Sequence, residues 1–299
     1  MYVLLGSNGQ ITAQLARRLL GAGHPVRVLG RQASALAPLA QLGAQTAVGD
    51  AGDARFLRQA FEGAAGVYTM TPPCYADANM RAAQDRIGTA VAQALREAAV
   101  PRVVNLSSVG AELASGTGPI EGLHAQEQRL AGLAGLLHLR PGSFMENFLA
   151  AAPAVAAAGV LPGLEAPDVP IPMVATRDIA AVAARELLNP RHEGVLILHA
   201  PRHATPQEVA ATFGDAIGQP GLAYVQAPEA EVSALLRQQG FSADAAHQLV
   251  VLARWISGTA LASLAAAPVE LQPTTLEAFA RERFLPAWSE AVERAQHAA

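Results

Sequence analysis

The 299-residue sequence contains no lysine, so all 21 of its basic side chains are arginine. No Schiff base can form on a lysine, and no ammonium group can lower the pKa of a neighbouring tyrosine. Cysteine is almost as scarce. Cys74 stands alone, which excludes an internal disulfide and any CxxC or multi-cysteine metal site. The eight histidines include no HExxH or similar spacing, so no metal is expected. Of these, His24, His138, His192, His199, His203 and His247 read as turn or isolated positions. The net charge is −4 and the arginines form no basic stripe, which argues against nucleic-acid binding. No apolar run reaches the roughly 18 residues of a membrane helix. Met1 leads straight into a strand-like run with no charged-then-apolar leader, so a cytoplasmic location is expected.

What is present begins at the amino terminus. Tyr2-Val3-Leu4-Leu5 reads as a buried parallel strand, and Gly6-Ser7-Asn8-Gly9-Gln10-Ile11 turns it into a helix patterned by Ile11, Leu15, Ala16, Leu19 and Leu20. Unpaired backbone N–H groups and the positive end of a helix dipole then coincide, which suits a pyrophosphate. Gly6 permits the tight turn, and Gly9 lets the backbone approach phosphate without an intervening Cβ. Thr12 stands where a third glycine usually closes this pattern.

Strand-like and helix-like segments then alternate. Further strands are predicted at 25–29, 44–48, 66–70, 102–106 and 136–139, with helices near 33–42, 54–62, 79–99 and 119–133. This is the pattern of a Rossmann-type, doubly wound parallel α/β sheet of six strands. The strand carboxyl ends would line one edge, and the residues that follow each strand are the site candidates. Residues 1–150 are read as the nucleotide-binding domain. Residues 151–299 are read as a smaller, mainly helical substrate or lid region, with segments that return to the sheet. Pro/Gly breaks are expected at 159–163 and 167–172, strands at 171–175 and 195–198, and a helix at 176–188 capped by Thr176. Residues 228–258 read as two helices, the second capped by Ser242. The apolar helices at 79–99 and 119–133 offer a face for a homodimer.

Arg31 follows the second strand, where NAD-preferring versions of this fold place a carboxylate on the ribose 2′-hydroxyl. An arginine there can pair with a 2′-phosphate, which points to NADP(H); a solvated loop arginine is the alternative. Asp50 is either an adenine contact or the cap of the next helix, a role for which Asp53 competes. Thr71-Pro72-Pro73 lacks two amide protons and would form a stiff wall beside the cofactor, or a simple strand-ending turn. Ser107 and Ser108 fall near the expected nicotinamide, where a serine can hold cofactor or a substrate carbonyl; strand-end serines also form turns. His124 and Glu127, three residues apart, suit proton transfer or a surface pair. Phe144 and Met145 would wall the pocket, and Asn147 would fix the ring or the loop above it. Trp255 and Phe241 are candidates for an aromatic substrate slot, with core packing as the alternative.

Gly6-Ser7-Asn8-Gly9, the Ser107-Ser108 strand end, Leu139-Arg140-Pro141-Gly142-Ser143-Phe144-Met145-Glu146-Asn147 and Ile171-Pro172-Met173 with Asp178-Ile179-Ala180 resemble the NmrA-like atypical short-chain dehydrogenase/reductases. The resemblance covers most of residues 1–200. It implies a Rossmann domain with a small C-terminal substrate domain. It also implies either NAD(P)H-dependent reduction of quinones, azo dyes or triphenylmethanes, or NADP binding without turnover. Ordinary short-chain dehydrogenases use a Tyr-x-x-x-Lys pair on the helix after the fifth strand, and neither residue occurs there. Many NmrA-like members carry a lysine or histidine about four residues before the helix glutamate, whereas His124 lies three before Glu127. The reading that results is an NADPH-dependent reductase passing hydride directly to a small planar or electron-poor substrate, with the proton from water or His124. A redox sensor that binds NADP(H) without turnover, and an epimerase or dehydratase, are the alternatives.

Overall fold

The computed structural model describes residues 1–7 and 9–298. The first half forms β1 (Tyr2–Leu5), α1 (Gln10–Gly21), β2 (Val26–Gly30), α2 (Ala33–Gln41), β3 (Gln45–Val48), α3 (Ala54–Phe61), β4 (Gly66–Met70), α4 (Met80–Glu97), β5 (Val103–Leu106), α5 (Ile120–Leu130) and β6 (Leu136–Pro141). The second half adds β7 (Ser143–Phe144), α6 (Ala152–Ala158), β8 (Val160–Gly163), β9 (Met173–Val174), α7 (Thr176–Leu188), β10 (Gly194–His199), α8 (Pro206–Ala216), β11 (Ala223–Gln226), α9 (Glu229–Gln238), α10 (Ala243–Gly258), β12 (Val269–Leu271), α11 (Leu276–Phe279) and α12 (Leu285–Ala298).

The main sheet runs β12-β10-β6-β5-β4-β1-β2-β3, and every pairing in it is parallel. Strand order reverses at β1, which lies between β2 and β4. The two outermost strands on one side, β10 and β12, come from the second half of the chain; β10 is the strand expected at 195–198, returning to the six strands of the first half, and with β12 the sheet has eight. β12 had no expectation attached to it.

Both faces of the sheet are covered, which is why β1 is apolar without alternation. Leu4 packs with Leu15, Leu19 and Leu36 of α1 and α2 and with Ile179 and Leu187 of α7. Val3 and Leu5 face the other way, toward Leu57, Phe61, Val91 and Leu95 of α3 and α4. Each such fully buried Leu or Phe contributes about 1.5–3 kcal/mol relative to exposure. A third core, containing Leu161, Met173, Phe213, Phe279 and Phe284, belongs to the second half alone.

Three local expectations are corrected. Residues 160–163, read as a break, form β8, which pairs with β11 in a separate two-stranded sheet. The strand expected at 171–175 is reduced to Met173–Val174 plus a bridge from Ile171 to Ala204. Thr176 does not cap its helix: it is the first helical residue, Ala175 is the N-cap, and the capping group comes from elsewhere in the chain. Ser242 does cap α10, accepting the Ala245 amide at 3.0 Å.

Candidate active site

The carboxyl ends of β1, β2, β4, β5 and β6 lie along one edge of the sheet, where folds of this kind form their ligand crevice, and the loop after β1 lies at the reversal of strand order. Gly6 has φ +137°, and a Cβ there would stand 2.5 Å from Thr12 Oγ1. Thr12, buried beneath the turn, therefore fills the space that glycine leaves. Ser7 adopts φ +51° and donates its amide to Leu29 O at 2.9 Å. Its hydroxyl lies over Gly30, where a Cβ would meet Ser7 Oγ at 2.2 Å. Asn8 lies outside the described residues. Gly9 is the N-cap of α1, with no side-chain cap bond and no acid in the first turn. By contrast, side chains cap α3 (Asp53), α4 (Asn79), α8 (Thr205), α10 (Ser242) and α11 (Thr275). The dipole end of α1 thus meets no counter-charge from the protein in its first turn. That is the fit a pyrophosphate needs.

At the end of β2, Arg31 is exposed and forms no ion pair among the described residues. Asp53 takes the helix cap, accepting Arg55 and Phe56 amides at 2.9 and 3.2 Å. Asp50 is left to accept the Gly52 amide and to pair with Arg86. Thr71-Pro72-Pro73 is neither helix nor strand and is partly exposed just after β4.

After β5 the structure separates the two serines. Ser107 is 3% exposed and its hydroxyl donates to Glu127 Oε1 at 2.5 Å. It offers no free donor to the crevice. Ser108 is half-buried and donates to Val109 O at 2.9 Å. Glu127 is not the surface partner of His124. It is buried and holds Arg140 through two bonds, 2.9 and 2.6 Å, while Arg140 also reaches Glu112 at 3.1 Å. That network ties the β5 end, α5 and the β6 end together, so it fixes the crevice floor rather than transferring protons. Removing one partner would strand a buried charge. His124 instead contacts Ala111 O through Nδ1 at 2.9 Å. A carbonyl only accepts, so Nδ1 carries the proton and Nε2 is the free ring nitrogen.

The segment after β6 also departs from expectation. Met145 is buried in the third core. Phe144 is half-buried against the sheet core. Asn147 is exposed and makes no side-chain hydrogen bond among the described residues. Sequence reasoning passed over its neighbour. Glu146, buried, accepts the Thr176 amide on both oxygens at 3.0 Å and the Thr176 hydroxyl at 2.6 Å. Gln14 Nε2 donates to the same hydroxyl at 3.1 Å, joining α1 to α7. An acid immediately after a strand, thirty residues from the helix that it caps, leaves no local pattern.

The α9–α10 arm closes over the crevice loops. Phe241 stacks on Tyr75 with centroids 4.6 Å apart, and the Ser242 amide donates to Tyr75 O at 2.8 Å. Asp244 accepts the Met80 amide at 2.8 Å. Trp255 lies on Gly110, where a Cβ would be 2.6 Å from the indole, and Gly118 lets Gln248 O approach equally closely. The Trp255 indole nitrogen is buried without a partner among the described residues. No tyrosine lies on α5, and burial raises the pKa of Tyr68, Tyr75 and Tyr224, keeping all three as phenols.

Three histidine readings change as well. His138 is buried on β6 against Asn105, 3.0 Å away, and His199 and His203 touch each other. No group of three His, Cys, Asp or Glu residues able to hold a metal occurs among the described residues. No single described helix is long and apolar enough to cross a membrane.

A parallel eight-stranded sheet with a bare glycine turn at its switch point defines a dinucleotide-binding α/β protein of the Rossmann type. The sequence profile of the NmrA-like family matches residues 2–280, and the chain belongs to that family. An NAD(P)H azoreductase of Xenophilus azovorans is 30% identical over 262 residues, 85% of this chain and 87% of its own. A (4-alkanoyl-5-oxo-2,5-dihydrofuran-3-yl)methyl phosphate reductase of Streptomyces griseus is 30% identical over 224 residues, 74% of this chain and 75% of its own. Among solved structures, an NADPH-dependent quinone oxidoreductase from Escherichia coli in complex with NADPH superposes with a TM-score of 0.75. It is 26% identical, over 95% of this chain and 100% of that one.

Proposed function

We propose that the protein is an NADPH-dependent reductase of a small, planar, electron-poor acceptor such as a quinone or an imine. The reductase class follows the family and the relatives named above. The observation that carries the cofactor is the uncapped start of α1 behind Gly6 and Gly9. When bound there, the dinucleotide supplies a hydride from its nicotinamide. The α1 amides would hold the pyrophosphate, Arg31 the 2′-phosphate, and Thr71-Pro72-Pro73 the wall beside them. Hydride transfer needs chiefly orientation and closeness, worth several kcal/mol when two partners are held together.

The acceptor would lie between the β5–α5 loop and the α9–α10 arm, with residues 151–299 contributing the lid. Trp255 supports this placement, since its unpaired indole N–H suits an acceptor oxygen or nitrogen. His124, after Nε2 takes up a proton from water, would pass that proton to the reduced acceptor while Nδ1–H stays on Ala111 O. A tyrosine donor is not required, in keeping with a chain that has no lysine to activate one.

The test is a fluorescence titration with NADPH and NADP⁺, followed by NADPH consumption against a panel of quinones and imines. Turnover on at least one class is expected. His124→Ala should lower kcat about a hundredfold with NADPH affinity unchanged. Tight binding of both cofactor forms with no turnover on any acceptor would instead support a sensor that binds NADP(H) without reducing a substrate.

A further inference from the structure

Arg31 is not the only cation at the adenosine end of the crevice. The Gly49 amide donates to Gly30 O at 3.0 Å, so β2 and β3 end level at Gly30 and Val48, and Arg31 leaves the sheet beside Gly49-Asp50. The Asp50 carboxylate is held from two directions. Oδ1 accepts the Gly52 amide at 2.9 Å, and Oδ2 accepts Arg86 Nη1 at 3.1 Å. Arg86 reaches across from α4 and lays its guanidinium over Gly52, where a Cβ would stand 1.6 Å from Nη1. A Cβ at position 52 would push the guanidinium out of that position. The pair is exposed, 53% and 54%, so its contribution to stability is small. Its position explains it better. An unscreened carboxylate beside Arg31 would repel a 2′-phosphate, just as the carboxylate of NAD-preferring enzymes does from the β2 end.

We infer that Arg86 screens Asp50 and thereby sets the preference for a 2′-phosphorylated dinucleotide over its unphosphorylated form. With Arg86 in place the trio Arg31, Asp50 and Arg86 carries one net positive charge; without it the trio is neutral and the phosphate meets a bare carboxylate. The inference rests on the reading of Arg31 as the 2′-phosphate partner, and deepens it by naming the groups that tune that site. The Asp50 pKa is lowered, first by the Gly52 amide, with burial opposing and Arg86 and Arg31 lowering it further, which keeps the carboxylate ionised there.

The test titrates NADPH and NADH into wild type, Arg86→Met, Asp50→Asn and the double variant at low salt. Arg86→Met should weaken NADPH about tenfold and leave NADH within about twofold. Asp50→Asn alone should leave NADPH as tight or tighter. The double variant should recover most of the loss, because the charge that needed screening is gone. A double variant no better than Arg86→Met would overturn the inference, since Arg86 would then contact the phosphate directly. Equal weakening of both cofactors, or no change in either, would overturn it too. Arg31→Ala measured alongside separates the two levels. Equal loss of both cofactors there strikes the reading beneath, whereas selective loss there with Arg86→Met silent strikes only the screening role.

Discussion

Two helices begin side by side at the mouth of the crevice, and they meet the problem of unpaired amides in opposite ways. α7 starts after Ala175 with no cap of its own, and buried Glu146 supplies one, taking the Thr176 amide and hydroxyl. α1 starts after Gly9 with neither a side-chain cap nor an acid in its first turn. Gln14 and Thr176 join the two starts. One end is sealed by the chain's own carboxylate and the other is left for an anion from outside. Among the other described helices of the cofactor half, side chains seal α3 and α4 but not α2 and α5, so a bare start alone marks no site. Only α1 combines that bareness with a glycine turn at the switch point.

The comparison can be broken most forcefully at the sealed end. Glu146→Ala removes the acceptor of three hydrogen bonds and leaves the Thr176 amide buried without a partner. It should lower unfolding free energy by about 2–3 kcal/mol, read by denaturant melts, with NADPH affinity within about threefold of wild type. At the open end, Arg31→Ala should leave the melt unchanged and weaken NADPH about tenfold while NADH moves little, read by titration. A smaller effect concerns pH. Burial holds the His138 pKa below its ordinary 6.5, with Glu127 opposing and Arg140 adding to the shift. Between that lowered value and 6.5 the unfolded chain binds the extra proton, so stability should rise with pH across the window and decline as pH falls below 6.5. His138→Asn should flatten that part of a melting-temperature profile taken between pH 5 and 8.

The open end was legible in the sequence and the sealed end was not. A strand followed at once by Gly6, Gly9 and a helical repeat is a local pattern, and local patterns survive reading in one dimension. The same holds for the helix at 176–188 and for the turn at Gly240-Phe241-Ser242. Glu146 and Glu127 defeated that approach because their partners, Thr176 and Arg140, are distant in sequence and meet only through the sheet. His124 and Glu127 share a spacing but not a target, one turning to Ala111 and the other inward to Ser107 and Arg140. Proximity on a helix said nothing about which side chain the core would claim. β8 was hidden by Pro162 and Gly163, which are tolerated in a short two-stranded pairing with β11. β12 is three residues long, too short for any period to declare it.

The central claim is that the α1 start is left bare for a phosphate, and Gly9→Asp tests it most directly. Gly9 has φ −61° and ψ 155°, the backbone of an ordinary capping residue, and its Cβ would meet only Gly6 O, at 3.2 Å. An aspartate there should seal α1 as Asp53 seals α3, leaving stability unchanged or raised by a few tenths of a kcal/mol. NADPH affinity should fall by about a hundredfold or more, because the new carboxylate occupies the anion's place. A Gly9→Asp protein that melts like wild type and still binds NADPH with undiminished affinity would contradict the account.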